Sequence, residues 1–299
     1  YDPTCGSAGM LISAVAYLKN QGKEWRNLKI YGQELNYLTS AIGKMNLFLH
    51  GVKDFTIVND DTLLNPAFIE KGTIKQFDLV LANPPYSIKQ WNREAFANDK
   101  YGRNFLGTPP QGRADYAFFQ HILKSLKPDT GRCVILFPHG VLFRNEEKDM
   151  REKLIKSDLI ECVIGLGPNL FFNSPMEACI VICRTRKEVK RRGNILFINA
   201  VNEVTRKNAQ SYLTDEHITH IADTYKNYIE KDGFSAVVSV EEIAKNNYLL
   251  SLPLYVRAEV QDEQKQQKSI SECIADWQES SRELKETYSE LKSVLGGVE

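Results

Sequence analysis

The stretch FDLVLANPPYSI, residues 77–88, restricts the possible folds of this chain more than any other. Phe77 to Ala82 is a short, mostly apolar run of the kind that forms a buried strand, and a buried strand needs a sheet on both sides of it. Asn83-Pro84-Pro85-Tyr86 then ends the strand. Two consecutive prolines fix φ and remove two N–H donors, so the backbone cannot continue as a ladder and its carbonyls turn outward. The result is a rigid acceptor site at the carboxyl end of a strand, where ligands bind in open α/β sheets. An exocyclic amine lying between the Asn83 side-chain oxygen and the Pro84 carbonyl would have both hydrogens held, with Tyr86 free to stack on the attached ring. Taken alone, the tetrapeptide suits a sharp loop with a tyrosine lid equally well.

A second feature gives it context. The chain opens YDPTCGSAGML, a turn of small residues (Asp2, Pro3, Gly6, Ser7, Gly9) running into a helix with apolar positions Leu11, Ala14, Val15 and Leu18. Small residues let a ligand approach the backbone and leave the helix N-terminus facing it. A glycine-rich turn before a helix is shared by nucleotide binders of every kind. Together with Asn83-Pro84-Pro85-Tyr86, however, Asp-Pro-x-Cys-Gly-Ser-x-Gly-x-Leu resembles the modification subunit of type I restriction-modification systems, an N6-adenine DNA methyltransferase, over most of the chain.

The resemblance implies a class I S-adenosylmethionine-dependent methyltransferase fold: a mostly parallel seven-stranded sheet with one antiparallel strand, helices on both faces, and a C-terminal helical tail. It implies S-adenosylmethionine as cofactor, no metal, and catalytic roles for Asn83, Pro84, Pro85 and Tyr86. The cofactor is expected to meet Asp2, Pro3, Gly6, Ser7, Gly9, Glu34, Asp61 and Asn83. Double-stranded DNA, a specificity subunit, a second modification subunit and a restriction subunit are the implied partners. In such a fold a central strand and a helical domain precede the glycine-rich turn, so the chain is expected to be truncated at its N-terminus. Ala8 stands where the family has a second glycine, which bears on how closely the cofactor approaches.

Charge balance limits how such a chain can meet DNA. Lys+Arg 38 equals Asp+Glu 38, so there is no global positive field of the sort a self-sufficient DNA-binding module carries. Nucleic acid must be held by local patches or through a partner. The 6 cysteines are scattered, with no C-x-x-C spacing, and read as buried free thiols rather than disulfides or metal ligands. No apolar run approaches the ~20 residues of a membrane span, and nothing resembles a signal peptide. A cytoplasmic protein with no membrane partner is expected.

Three domains are expected: a catalytic domain over 1–200, an extension over 201–258 and a helical tail over 259–299. Within the first, Glu34 ends a strand where a ribose diol would meet two hydrogen bonds, or else starts the helix over 35–49. Asp61 matches the family's acid near adenine; Asp60 occupies a position where glycine is common, and either acid could cap the next turn instead. Residues 89–114 read as a loop whose Lys89, Arg93, Lys100, Arg103 and Arg113 suit a DNA backbone or plain solvent. Asp115 is expected to cap the helix it opens first and to form a pocket wall second, and His121 within that helix to be structural. His139-Gly140-Val141-Leu142-Phe143 continues the resemblance, to the family's Pro-x-Gly-x-Leu-Phe. The apolar runs 159–166 and 178–183 are joined too closely for a crossover and must be antiparallel. Phe171 and Phe172 between them either pack around an extruded base or fill core.

The basic run Arg184, Arg186, Lys187, Lys190, Arg191 and Arg192 reads as a solvated turn or a phosphate contact. In the tail, Ile270, Ile274, Trp277, Leu284, Tyr288, Leu291 and Leu295 recur with steps of four and three, a heptad seam suited to a partner helix. Other readings remain: a protein-glutamine or RNA amino methyltransferase, a non-catalytic assembly module, or, from the glycine turn alone, a dinucleotide dehydrogenase.

Overall fold

A computed structural model describes residues 1–171, 176–207, 210–256 and 270–295. Residues Tyr1–Ala258 form one compact unit and Glu259–Glu299 another. The strands are β1 (Ile30–Glu34), β2 (Phe55–Asn59), β3 (Ile69–Glu70), β4 (Thr73–Ile74), β5 (Leu79–Ala82), β6 (Arg132–Pro138), β7 (Ile160–Leu166), β8 (Ala178–Arg184), β9 (Asn194–Ala200), β10 (Thr205–Lys207), β11 (Gln210–Tyr212) and β12 (Ser235–Ser239). The helices are α1 (Gly9–Asn20), α2 (Tyr37–Leu49), α3 (Arg93–Ala97), α4 (Asp115–Lys124), α5 (Lys148–Lys156), α6 (Asp215–Asn227), α7 (Val240–Lys245) and α8 (Ile270–Leu295).

The main sheet runs β12-β9-β7-β8-β6-β5, and β1 pairs in parallel with β2 beside it. Tyr1 and Asp2 join the two. The Tyr1 nitrogen donates to the Leu79 carbonyl and the Leu81 amide returns the bond to Tyr1, while Asp2 exchanges amide bonds with Tyr31 and Gln33. Two residues therefore act as a strand between β1 and β5. The arrangement is wider than the expected seven strands, and two members rather than one run against the rest: β8 between β6 and β7, and β12 against β9. The reason is burial. Every residue of β7 is buried, so its second edge must also be covered. Asn194–Ala200 supplies that cover by pairing in parallel, and β12 follows it. Residues beyond 200 thus enter the same sheet as the residues before it.

Helices cover both faces. One apolar cluster joins Val80, Ala82, Ile135 and Phe137 to Tyr116, Phe119 and Ile122 of α4 and to Leu154 of α5; a second joins Cys162, Ile164, Leu196 and Ile198 to Ile221 of α6. Helix α4 is buried from Asp115 to Leu123, on all sides, far beyond an amphipathic stripe. Five cysteines (5, 133, 162, 179 and 183) are buried free thiols. No helix among the described residues is long and apolar enough to cross a membrane.

The basic run after β8 is neither a solvated turn nor a phosphate surface throughout. Arg191 is buried, with Nη1 3.3 Å from Glu161 Oε1 and Nη2 donating to the Lys226 carbonyl. Glu161, fully buried on β7, also lies 3.4 Å from Arg184 Nε and accepts from Tyr225 Oη at 2.6 Å. Lys187 is buried too, 2.6 Å from Asp158. A carboxylate inside a sheet needs such partners, and for Glu161 they come from Arg184 and Arg191 of the basic run. Lys190, by contrast, is largely exposed. Arg191→Ala, which leaves Glu161 buried with one fewer cation, should destabilise the protein by about 3–5 kcal/mol, whereas Lys190→Ala should change stability by less than about 0.5 kcal/mol. Urea unfolding of the two variants measures both; equal stabilities would remove the clamp.

Candidate active site

The glycine-rich turn, the ends of β1 and β2, and the Asn83 turn after β5 come together at the carboxyl edge of the sheet. They line a cleft of about 700 Å³ whose walls include Pro3, Thr4, Glu34, Asp61, Asn83 and Pro85. Its apolar surfaces come from Leu35, Leu63, Ile88, Trp91 and Phe118. Of the residues expected to meet a cofactor, Pro3, Glu34, Asp61 and Asn83 are in this wall. Asp2, Gly6, Ser7 and Gly9 are not, and neither are Pro84 and Tyr86.

Glu34 ends β1 and is not the start of α2, which is capped instead by the Asn36 side chain accepting from the Thr39 amide. Its carboxylate accepts from the Gly6 amide through Oε2 at 3.0 Å and from the Asn36 amide through Oε1 at 2.8 Å. The first of these bonds explains the glycine: Gly6 has φ +54°, a conformation that glycine adopts at little cost and that turns its amide toward Glu34. Each carboxylate oxygen keeps a further lone pair for a donor in the cleft.

Asp61 does cap the following turn: Oδ1 accepts from the Leu63 and Leu64 amides. Asp60 also binds locally, to the Asp61 amide and Asn65. Capping and lining the cleft are thus compatible in Asp61, because the cap uses one oxygen and the other makes no hydrogen bond among the described residues.

The turn carrying Asp61 is held by a residue that sequence reasoning assigned to DNA or solvent. Arg103 is 2% exposed. It pairs with Asp99 at 2.6 Å and donates to the carbonyls of Thr62 and Leu63 at 2.9 and 2.7 Å. Its guanidinium also lies 3.3 Å from His121 Nδ1. An arginine offers only donors, so Nδ1 accepts and the His121 proton sits on Nε2, which lies 3.0 Å from Tyr1 Oη. Burial, then Arg103, holds His121 well below the ordinary histidine range, consistent with a neutral, structural ring. The only signal for Arg103 in the sequence was Asp99 four residues earlier.

Asn83 and Pro85 are exposed, Pro84 is buried, and Tyr86 is half-buried. The Tyr86 ring meets Phe171 edge-on with centroids 6.4 Å apart, which places Phe171 next to the Asn83–Tyr86 turn; Phe172 lies outside the described residues. The Tyr86 hydroxyl is buried without a hydrogen-bond partner among the described residues, and burial pushes its pKa upward. Asp115 does not cap α4. The N-cap is Ala114, and the Asp115 carboxylate instead accepts from the Ser87 amide at 2.9 Å, immediately after Tyr86.

Similarity to known proteins accords with this geometry. Residues 1–264 match the family model described as N-6 DNA Methylase. The chain belongs to that family. It is 31% identical to the type I restriction enzyme HindI methylase subunit of Haemophilus influenzae, over 100% of this chain and 68% of that protein. It is 34% identical to the MjaVII methylase subunit of Methanocaldococcus jannaschii, over 99% of this chain and 52% of that protein. Among solved structures, the type I restriction-modification methyltransferase subunit of Streptococcus thermophilus superposes with a TM-score of 0.78 at 37% identity, covering 86% of this chain and 53% of that one. A Listeria monocytogenes protein whose structure is described as that of a candidate class I S-adenosylmethionine-dependent methyltransferase shares the fold at 20% identity and a TM-score of 0.58, covering 77% of this chain and 64% of that one. The chain spans about half the length of the first relatives it matches.

Asp2, next to Pro3 and Thr4 of the cleft wall but not itself in it, is 1% exposed, with Oδ1 accepting from the Thr4 amide at 2.9 Å. Burial raises its carboxyl to about 7, partly offset by that amide bond. A folded value above the unfolded one, about 3.9, means the folded state binds the proton more tightly. Its contribution to stability is therefore complete below about pH 4 and is lost as pH rises through 7. Asn at this position keeps the acceptor for Thr4 and removes the titration. The unfolding free energy of Asp2→Asn should fall less between pH 5 and pH 8 than that of the parent, measured by urea unfolding; parallel profiles would show that Asp2 does not titrate in this window.

Proposed function

We propose that the chain transfers the methyl group of S-adenosylmethionine to the N6 amine of an adenine flipped out of double-stranded DNA, acting as the modification subunit of a type I restriction-modification complex. The observation that carries this reading is the cleft Asn83 shares with Glu34 and Asp61: an amine acceptor beside a pocket with two carboxylates and apolar walls, within the ~300–1,000 Å³ range of small-molecule sites. Those acceptors and walls fit the cofactor. Glu34 would accept from a ribose diol, Asp61 from the adenine amine, and Leu35, Leu63 and Phe118 would flank the ring. When bound, S-adenosylmethionine supplies an activated methyl group on a sulfonium centre.

The strand order also supports the class I sheet. With Tyr1–Asp2 counted as a strand, β2, β1, Tyr1–Asp2, β5, β6, β8 and β7 correspond to its seven members, and β9 and β12 are additions. In this reading residues 1–200 carry the chemistry, 201–258 extend the sheet, and 259–299 dock partners. A cytoplasmic location goes with it.

The N6 amine is a poor nucleophile because its lone pair is delocalised into the purine. Asn83 Oδ1 and the Pro84 carbonyl, accepting its two hydrogens, favour a more tetrahedral nitrogen and stabilise the positive charge that grows there. Pro84 and Pro85 keep both acceptors fixed. Asn83 carries no charge of its own, so the amine's proton leaves afterwards to water or a neighbour. Flipping costs a few kcal/mol, which stacking on Tyr86, with Phe171 at its edge, helps to offset. Asn83→Ala should lower methyl transfer by about 10²–10³ while cofactor affinity holds. Tyr86→Phe should retain activity, since its buried hydroxyl has no described partner, and Tyr86→Ala should not. Single-turnover assays with labelled cofactor measure all three. Near-normal turnover in Asn83→Ala would sink the mechanism.

For the tail, α8 is 26 residues long, roughly 39 Å at 1.5 Å per residue. The seam residues Ile274, Trp277, Leu284 and Tyr288 are each at least half exposed; Ile270, Leu291 and Leu295 lie outside the described side chains. A stripe of that period is suited to another helix. We assign it to the helical spacer of a specificity subunit beside a second modification subunit, with the restriction subunit completing the complex. Deleting residues 265–299 should leave cofactor binding intact and abolish co-purification with the specificity subunit; recovery at full stoichiometry would assign docking elsewhere.

A further inference from the structure

We propose that Arg144 is a positioning residue for methyl transfer, locking with Asp115 and Ser87 the backbone that follows Asn83-Pro84-Pro85-Tyr86. The proposal rests on the reading of Asn83 as the amine acceptor. Ser87 has φ +50°, in the left-handed region that a residue with a Cβ avoids. Something must hold it there, and the prolines cannot, because they restrain only the residues at and before themselves.

The restraint is a closed ring of hydrogen bonds. Asp115 Oδ1 accepts from the Ser87 amide at 2.9 Å, and Oδ2 accepts from Ser87 Oγ at 3.3 Å. The Arg144 fork spans the other side: Nη1 donates to Asp115 Oδ2 at 2.8 Å and Nη2 to Ser87 Oγ at 3.3 Å. Asp115 is 1% exposed, so its carboxylate depends on this cation. Arg144 also lies 3.5 Å from Glu147, which is buried in turn.

The backbone that carries the fork is held in turn. Arg151, fully buried, donates Nη1 to the Arg144 carbonyl at 2.9 Å and Nε to the Tyr248 carbonyl at 2.7 Å. Gly140 leaves the space, since a Cβ there would collide with the Arg144 guanidinium. The glycine of the Pro-x-Gly-x-Leu-Phe resemblance therefore has a physical role: it admits the arginine four residues on. Arg144 has no place in the cofactor cleft, yet it governs the segment attached to the reacting turn. A displacement of about 1 Å at that turn is enough to lower a rate on the order of 10²-fold.

The test uses the full-length subunit assembled with its partners, unmodified target DNA and labelled S-adenosylmethionine. In Arg144→Ala, kcat should fall about 30- to 100-fold, while the KM for DNA and the calorimetric affinity for S-adenosylmethionine stay within about threefold. Arg144→Lys keeps the charge without the fork and should fall between the two; if the alanine variant does not fold, it takes its place. Ser87→Gly, added to either variant, removes the left-handed penalty and should recover at least about threefold in kcat. A folded variant with kcat within about threefold of the parent, a loss shared equally with cofactor affinity, or no recovery with Ser87→Gly would each overturn the clamp. Asn83→Ala, assayed alongside, separates the two failures: turnover retained there overturns the acceptor reading, and turnover retained only in Arg144→Ala overturns the positioning role.

Discussion

The hydrogen bonding of β5 on both its edges is the constraint on which the rest of the site depends. Only four residues long, the strand pairs with Arg132–Ile135 on one side and with Tyr1 on the other. Val80 and Ala82 are almost completely buried, so a slide by one residue would force the larger Leu79 and Leu81 into their packed positions. Its carboxyl end, and so Asn83, is fixed relative to the turns that follow Asp2, β1 and β2. A cleft built from four loops keeps its shape because all four leave one sheet at one edge.

Charge inside the molecule does the remaining positioning. Arg103 with Asp99 holds the Asp61 turn, Arg144 with Asp115 holds the segment after Tyr86, and Arg191 with Glu161 ties β7 to the segment after β8. Each is an arginine serving several acceptors at once, which suits a planar fork better than a lysine. Each is also costly to bury unless every partner is present. Loops without regular structure thereby acquire a single conformation, and side chains that would otherwise form a basic surface are used internally. A chain with 38 cationic and 38 anionic side chains has correspondingly less free cationic surface to offer a nucleic acid.

Much of this was legible in the residue order because the signals were local. Two adjacent prolines end a strand wherever they occur, alternating apolar runs form strands, and the short connection between β7 and β8 admits only an antiparallel pair. Glu34 was readable as the last residue of a strand. Local patterns were misleading where a side chain's partner is remote. Asp115 opens a helix and so looked like its cap, but its carboxylate meets Ser87 and Arg144, 28 and 29 residues away.

The amino-acid order by itself determined the strand that runs into Asn83-Pro84-Pro85-Tyr86, the glycine-rich turn, the acid that ends β1 and the acids after β2, since each depends on the conformational limits of a few consecutive residues. Only the tertiary structure decided which of these residues share one cleft, that Asp2 is buried outside its wall, and that Arg103, Arg144 and Arg191 point inward. The physical reason is that an arginine's side depends on whether a carboxylate distant in sequence is brought close enough to offset its desolvation, and that distance is set by the sheet order.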